Sequence, residues 1–335
     1  MERVKYPIIQ APMAGGISNV SLARAVSKSG GLGFIAAGYK SVEVLEEEIV
    51  ALQRENCLFG VNIFVPTQDV ANEKEIESYK SKLRQNWQLK VSLPERLDDY
   101  LEEKIQLIKQ YRVPFLSFTF GCPPEKMIKE LQLNGSTVII TVTNGKEARI
   151  AQSLGANAIC LQGLEAGGHR ASFENKDPEH KKSLMELLIE LKSYIHIPII
   201  VAGGIMHGSQ IQQYLQEGAE AVQLGTAFIC CHESGANGVY KNALIQRKFS
   251  KTALTRAFTG RLARGLENDF IRQHNAMAPH AYPMVHYITQ EIRKSAMANE
   301  DIQAMSLWAG EGFKEVRDLS AEELIKALVR EAGLE

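Results

Sequence analysis

Nothing in these 335 residues points to a cysteine-built framework: Cys57, Cys122, Cys160, Cys230 and Cys231 form no CxxC pair and are odd in number. That excludes a disulfide scaffold and a cysteine zinc site, so no metal is expected and a reducing compartment, the cytoplasm, is. Long apolar runs are missing too. No stretch approaches the ~18 to 20 residues a membrane span requires, and Met1-Glu2-Arg3-Val4-Lys5-Tyr6-Pro7 has no apolar signal core. Charge of one sign is absent, with Lys+Arg 38 against Asp+Glu 39, a net charge of −1 and no basic run. Neither nucleic acid nor an anionic membrane is indicated as a partner, which leaves a small molecule. Low-complexity tracts and internal repeats are also lacking. Hydrophobic residues at 45% and charged residues at 23% describe an ordinary globular chain with a sizeable core.

What is present is alternation. Short apolar runs at Ile8 to Met13, Leu32 to Ala36, Phe59 to Val65, Phe115 to Phe120, Thr137 to Val142, Ala158 to Gln162, Pro198 to Ala202 and Ala221 to Leu224 are separated by longer amphipathic stretches. Several are near-continuous in Val, Ile, Leu and Phe, as suits strands buried on both faces. Helices are expected at Ser21 to Val26, Glu43 to Leu52, Glu147 to Leu154, Ser183 to Tyr194 and Gln210 to Glu217, the third closing at Gly155 and the last at Gly218. Eight βα units predict an α/β fold, a (β/α)8 TIM barrel, ahead of an open doubly wound sheet that gives no reason to stop at eight. The barrel spans residues 1–231, with a charged helical insertion at about 67–110 in which Pro94 starts a new helix. Residues 232–304 are expected to form a helical lid over the mouth, and 305–335 C-terminal helices that pack on the barrel.

Barrel active sites lie at the C-terminal ends of the strands, and phosphate often binds the loops after the seventh and eighth. Here those loops read Val201-Ala202-Gly203-Gly204-Ile205 and Gln223-Leu224-Gly225-Thr226, each with glycine amides near a helix start where an anion is favoured. The sixth strand runs into Leu161-Gln162-Gly163-Leu164-Glu165-Ala166-Gly167-Gly168-His169-Arg170. Gly167 and Gly168 let a planar ligand come close, and His169 can trade a proton near neutral pH. Asn62, in an otherwise apolar strand, is either a satisfied core amide or a contact for a heterocycle edge. Met13, in Gln10-Ala11-Pro12-Met13-Ala14-Gly15-Gly16, either walls one face of a flat ring or packs the core. Cys122 has no neighbouring base and reads as buried packing. His180, His196, His232, His274, His280 and His286 read mostly as surface residues, and His207 as a solvated helix start.

Together, Ile9 to Gly16, Gln162 to Arg170, Ala202-Gly203-Gly204-Ile205 and Gln223-Leu224-Gly225-Thr226 resemble the blocks of the nitronate monooxygenases, the FMN-dependent barrel enzymes once called 2-nitropropane dioxygenases. The resemblance implies bound FMN contacted by Asn62, Gln162, Gly167, Gly204, Gln223, Leu224, Gly225 and Thr226, with His169 as the catalytic histidine. It further implies oxidative denitrification of alkyl nitronates, such as propionate 3-nitronate, with O2 to a carbonyl compound and nitrite, a detoxifying reaction. Ala171, His207 and Ser209 depart from the residues usual at their places in the family. The alternative is an NAD(P)H-dependent flavin reductase of the enoyl-acyl carrier protein reductase II or quinone reductase type, which shares the Glu-Ala-Gly-Gly-His block. A homodimer is neither implied nor excluded.

Overall fold

A computed structural model describes residues 4–67, 72–176, 178 and 182–335. The strands are β1 (Ile8–Gln10), β2 (Gly33–Ala36), β3 (Phe59–Phe64), β4 (Phe115–Thr119), β5 (Thr137–Val142), β6 (Ala158–Gln162), the two-residue β7 (Gly168–His169), β8 (Ile199–Ala202), β9 (Ala221–Leu224), β10 (Thr252–Thr255) and β11 (Ala263–Leu266). Eight of them form one parallel sheet in the order β1-β9-β8-β6-β5-β4-β3-β2, and a parallel bridge from Ile9 to Leu32 joins its two edges. The sheet is therefore a closed (β/α)8 barrel, and each expected run supplies one strand.

The helices are α1 (Val20–Lys28), α2 (Val42–Arg54), α3 (Glu73–Leu83), α4 (Leu101–Gln110), α5 (Glu125–Leu133), α6 (Gly145–Ser153), α7 (Leu184–Leu191), α8 (Gly208–Gln216), α9 (Thr226–Ile229), α10 (Gly238–Ile245), α11 (Asp269–His274), α12 (Met284–Ile288), α13 (Gln290–Ala298) and α14 (Ala321–Glu331). Five of those that ring the barrel start where a side chain takes up a free amide: Asn19 for α1, Ser41 for α2, Asn144 for α6, and capping boxes Ser183–Glu186 for α7 and Ser320–Glu323 for α14. Each lays an apolar stripe on the strands. Leu184, Leu187, Leu188 and Leu191 of α7 are all buried, worth roughly 1.5 to 3 kcal/mol apiece. α14 packs against α1 and α8, so the helix that completes the ring is reached only after a long excursion beyond β9.

Inside the barrel, Ile9, Leu32, Phe34, Phe115, Ile139, Cys160 and Ile200 form a separate cluster. Gly60 is there because a Cβ at that position would stand 2.3 Å from the Phe34 ring, which fills its space. The insertion divides in two. α4 buries Ile105 and Ile108 beside α2, whereas Tyr79 and Leu83 of α3 join Phe258, Phe270, Val285 and Ile288 in the core of the lid. Contrary to expectation, Pro94 starts no helix. Residues 84–100 remain irregular and α4 begins at Leu101, after Arg96 has paired with Asp98 and Glu103.

The expected lid does carry α10 to α13, but it also holds β10 and β11, which form an antiparallel sheet with β7. The C-terminal segment contributes one α-helix, α14, and a short helical turn at Phe313–Glu315, preceded by a strap at 305–312 that crosses the barrel mouth. Among the described residues, no helix is long and apolar enough to cross a membrane and no group of His, Cys, Asp and Glu could hold a metal ion.

Candidate active site

Side chains alternate along a strand, so residues two positions beyond the barrel's interior cluster face inward at its C-terminal rim. By that count Asn62 follows Gly60, Thr141 follows Ile139, Gln162 follows Cys160 and Gln223 follows Ala221. All four border a cavity of about 620 Å³ under the lid and the strap. Every residue that the family resemblance implies for cofactor or catalysis lies on its wall: Asn62, Gln162, Gly167, His169, Gly204, Gln223, Leu224, Gly225 and Thr226, with Met13 and Gly203 beside them. Among the residues that depart from the family pattern, Ala171 lines the cavity, whereas His207 and Ser209 do not. His207 faces Glu315 and Arg317 on the outer surface, and Ser209 is exposed.

At one end of the cavity the backbone turns outward. Gly203 and Gly204 have φ of +144° and +68°, which a side chain would resist. Among the described residues, none accepts a hydrogen bond from the amides of Gly203, Gly204, Gly225 or Thr226. Four N–H groups without a partner among the described residues, at two adjacent strand ends, are the kind of donor set an anion cradle requires. Asn62 donates through Nδ2 to Ser117 Oγ (2.8 Å) and Thr119 Oγ1 (2.9 Å), and its Oδ1 accepts nothing from the described protein. Gln162 is more heavily engaged. Its Nε2 donates to His169 O (3.0 Å) and its Oε1 accepts from Ala171 N (2.9 Å), so this side chain braces the histidine loop.

Gly167 and Gly168, expected to admit a flat ligand, both line the cavity and also shape the backbone around it. A Cβ on Gly167 would stand 2.5 Å from Gly310 N and 2.6 Å from Ala309 C, so this glycine allows the strap to cross. Gly168 takes φ +77° with nothing within 4 Å of its would-be Cβ, which turns the chain into β7. Opposite Ala263, His169 is thereby tied to the lid sheet.

His169 sits in a ring cage with Trp308 at 5.4 Å, Tyr282 at 5.9 Å and Phe120 at 6.0 Å between centroids. Burial, then the positive charges of Arg261 and Arg293, push its pKa from 6.5 down to about 3. The expected titration near neutral pH is therefore corrected: the imidazole is neutral throughout the physiological range. Its Nε2 lies 2.9 Å from Thr259 Oγ1, whose hydroxyl has Arg261 O as an acceptor at 3.2 Å. With that proton directed to Arg261, the hydroxyl oxygen accepts from Nε2–H and the ring keeps its lone pair on Nδ1.

Several wall residues were not anticipated. Tyr39, Phe120, Thr259, His286, Arg293 and Trp308 all line the cavity. His286, read as a surface residue, is buried, stacks on Tyr39 at 4.4 Å and titrates at about 2 because burial and Arg293 oppose its charge. His274, read likewise, is wholly buried against Trp87 and Phe270 in the lid core. His180 lies outside the described residues. The flanking apolar residues Val285 and Ile288 were the available signal for His286; Arg293, on an amphipathic helix, offered none. Cys122 is half-buried and off the wall, with its thiol pushed up to about 12 by burial, in keeping with packing.

The nitronate monooxygenase family model matches residues 1–331. A probable nitronate monooxygenase of Bacillus subtilis is 36% identical over 332 residues, covering 97% of this chain and 95% of that one. The solved structure of nitroalkane oxidase from Streptomyces ansochromogenes has a TM-score of 0.94 at 40% identity, covering 99% of this chain and 97% of that one. FabK from Thermotoga maritima is more distant, with a TM-score of 0.78 at 26% identity and coverage of 99% and 94%. On a match that runs almost from end to end, carried by a barrel with this cavity at its mouth, the chain belongs to the nitronate monooxygenase family.

Proposed function

We propose that the cavity binds FMN and that the enzyme oxidises alkyl nitronates, propionate 3-nitronate among them, with O2 to a carbonyl compound and nitrite. The observation that carries this reading is one cavity with a cradle of free amides at Gly203, Gly204, Gly225 and Thr226 and a neutral histidine in an aromatic cage. The donor set suits the cofactor. A terminal phosphate needs N–H groups and a helix start, and the edge of a flavin ring offers donors to the free Oδ1 of Asn62. The volume, about 620 Å³, is that of a site for a molecule of cofactor size. Bound there, FMN supplies the redox chemistry that takes electrons from a carbanionic substrate, with O2 as final oxidant.

The chain's own part is positioning and charge. His169 presents Nδ1 as a neutral base or hydrogen-bond acceptor, able to take the α-proton of a neutral nitroalkane or, once protonated, to hold the nitronate oxygens. An anion entering beside the ring stabilises imidazolium and so raises the depressed pKa. Trp308, Tyr282 and Phe120 exclude water around it, which strengthens each of these interactions. Reductase chemistry of the enoyl-acyl carrier protein type is not favoured, because the FabK likeness is the more distant one.

The test is to purify the protein, identify its chromophore by mass after denaturation, and follow O2 uptake and nitrite release with propionate 3-nitronate. Released FMN and nitrite formation are the expected results. A protein that neither carries nor takes up FMN, or that forms no nitrite, would overturn the proposal.

A further inference from the structure

Lys104, near the start of α4, is fully buried in the insertion between β3 and β4, and its Nζ stands 2.9 Å from Asp99 Oδ2 and 3.0 Å from Ala37 O. Asp99 Oδ1 in turn accepts a hydrogen bond from Tyr39 N at 3.0 Å. The pair therefore grips the turn after β2 at two points, the carbonyl of Ala37 and the amide of Tyr39. Burial pushes the Lys104 ammonium down and the Asp99 carboxyl up, and each charge opposes the shift of the other. A buried ion pair adds little net stability, because desolvation offsets the attraction, so stability alone does not account for this one.

The turn it grips is strained. Among the described residues eight other than glycine have φ in the left-handed region, and three of them meet here: Tyr39 at +65°, Asp99 at +54° and Tyr100 at +55°. L side chains resist that conformation, which persists only where surrounding contacts impose it, often beside a functional site. At Tyr39 it accompanies a ring on the cavity wall. That ring stacks on His286 at 4.4 Å with 6° between planes and meets Phe64 edge-on at 5.6 Å, and its hydroxyl lies 2.8 Å from that of Tyr282. Tyr282 is one of the three rings around His169. The tether thus runs from the insertion, through one turn of the barrel rim, to the lid and the histidine cage.

We propose that Asp99, steadied by Lys104, is a positioning residue: it fixes Tyr39 on the cavity wall and, through Tyr39, the Tyr282 side of the His169 cage. The kinetic arm of the test rests on nitronate turnover at His169, and the second arm does not. Removing one partner would leave the other charged and buried, so two uncharged pairs are compared. Asp99→Asn with Lys104→Met keeps an oxygen for Tyr39 N and a residue type that tolerates positive φ; Asp99→Ala with Lys104→Met has neither. With propionate 3-nitronate, well below either unfolding midpoint, the alanine pair is expected to lose about 10- to 100-fold in kcat, up to the cost of a misplacement of about 1 Å, and the asparagine pair to recover most of it. A role confined to stability would lower the midpoints and leave the two pairs equal in kcat, which would overturn the assignment. In a Tyr39→Ala background the two pairs are expected to turn over equally, and a difference that persists there would overturn it as well.

The second arm needs neither substrate nor turnover. In the magnetic resonance spectrum of purified protein carrying isotope-labelled histidine, the ring signal of His286 lies in the ring current of Tyr39, and His286→Gln identifies it. The alanine pair is expected to move that signal toward its position in Tyr39→Ala, and the asparagine pair to leave it near the wild-type position. A signal that stays in place in the alanine pair would overturn the assignment. If nitronates are not turned over yet the signal moves, the catalytic reading of the cavity fails and the tether stands.

Discussion

Replacing Gly167 by alanine is expected to be far more disruptive than replacing its neighbour Gly168, although both lie in the histidine loop. At Gly167 the added Cβ would stand 2.5 Å from Gly310 N, against an ordinary contact of 3.4 Å, so the strap must retreat by about 0.9 Å, the difference between the two. The obstacle is backbone and cannot swing aside. It is held by Gly310 N to Thr226 Oγ1 (2.9 Å), Glu311 N to Glu165 O (3.0 Å) and Leu266 N to Leu307 O (2.8 Å). Overpacking costs about 1 to 3 kcal/mol and each weakened hydrogen bond about 0.5 to 1.5, so Gly167→Ala is expected to lose about 2 to 4 kcal/mol. Gly168→Ala meets empty space and incurs only the left-handed backbone penalty, about 1 to 2 kcal/mol, partly offset by a stiffer unfolded chain. Guanidinium unfolding of both variants measures the difference, and the emission of Trp308, next to His169, reports whether the strap has moved. Gly167→Ala proving no more costly than Gly168→Ala would refute the reasoning.

Other consequences follow from the same geometry. His169→Asn should retain FMN while kcat falls about 100-fold or more, read from the flavin absorbance and nitrite release of one preparation. Thr259→Val removes the hydroxyl that holds His169 Nε2, and kcat is expected to fall about 10- to 100-fold with KM little changed, as for other partners that orient a functional histidine; Thr259→Ser should restore most of it, and two identical variants would argue against the tautomer assignment. His169 and His286 have folded pKa values near 3 and 2, below the ordinary 6.5, so the unfolded chain binds more protons between those values. Their contribution to stability is thus fully present above about pH 6.5 and is lost as pH falls toward 3; denaturation midpoints at pH 7.5 and 5 should show that drop, and His286→Gln should lessen it.

The barrel was legible because its strands are short apolar runs whose partners are their sequence neighbours, and the rim was legible because a period of two carries Asn62, Gln162 and Gln223 to the same layer. The lid sheet was not. β10 and β11 have four residues each, and what makes them strands is pairing with each other and with Gly168–His169, a contact no local pattern encodes. The cage around His169 was hidden for a related reason: Phe120, Tyr282 and Trp308 come from a barrel loop, the lid and the strap, and none is distinctive in its own segment. Gly167 was legible as a glycine of the cavity wall, but its close contact with Ala309 and Gly310 was not, since they are remote in the chain. Arg293 was hidden among the polar residues of an amphipathic helix, and only the fold brings it to the cavity wall.

The most direct test of the account is anaerobic mixing of the FMN-loaded protein with propionate 3-nitronate and, separately, with NADH, following the visible flavin bands. Rapid loss of flavin absorbance with the nitronate and none with NADH is the predicted result. Loss with NADH alone would contradict it and make the enzyme a pyridine-nucleotide reductase built on the same barrel.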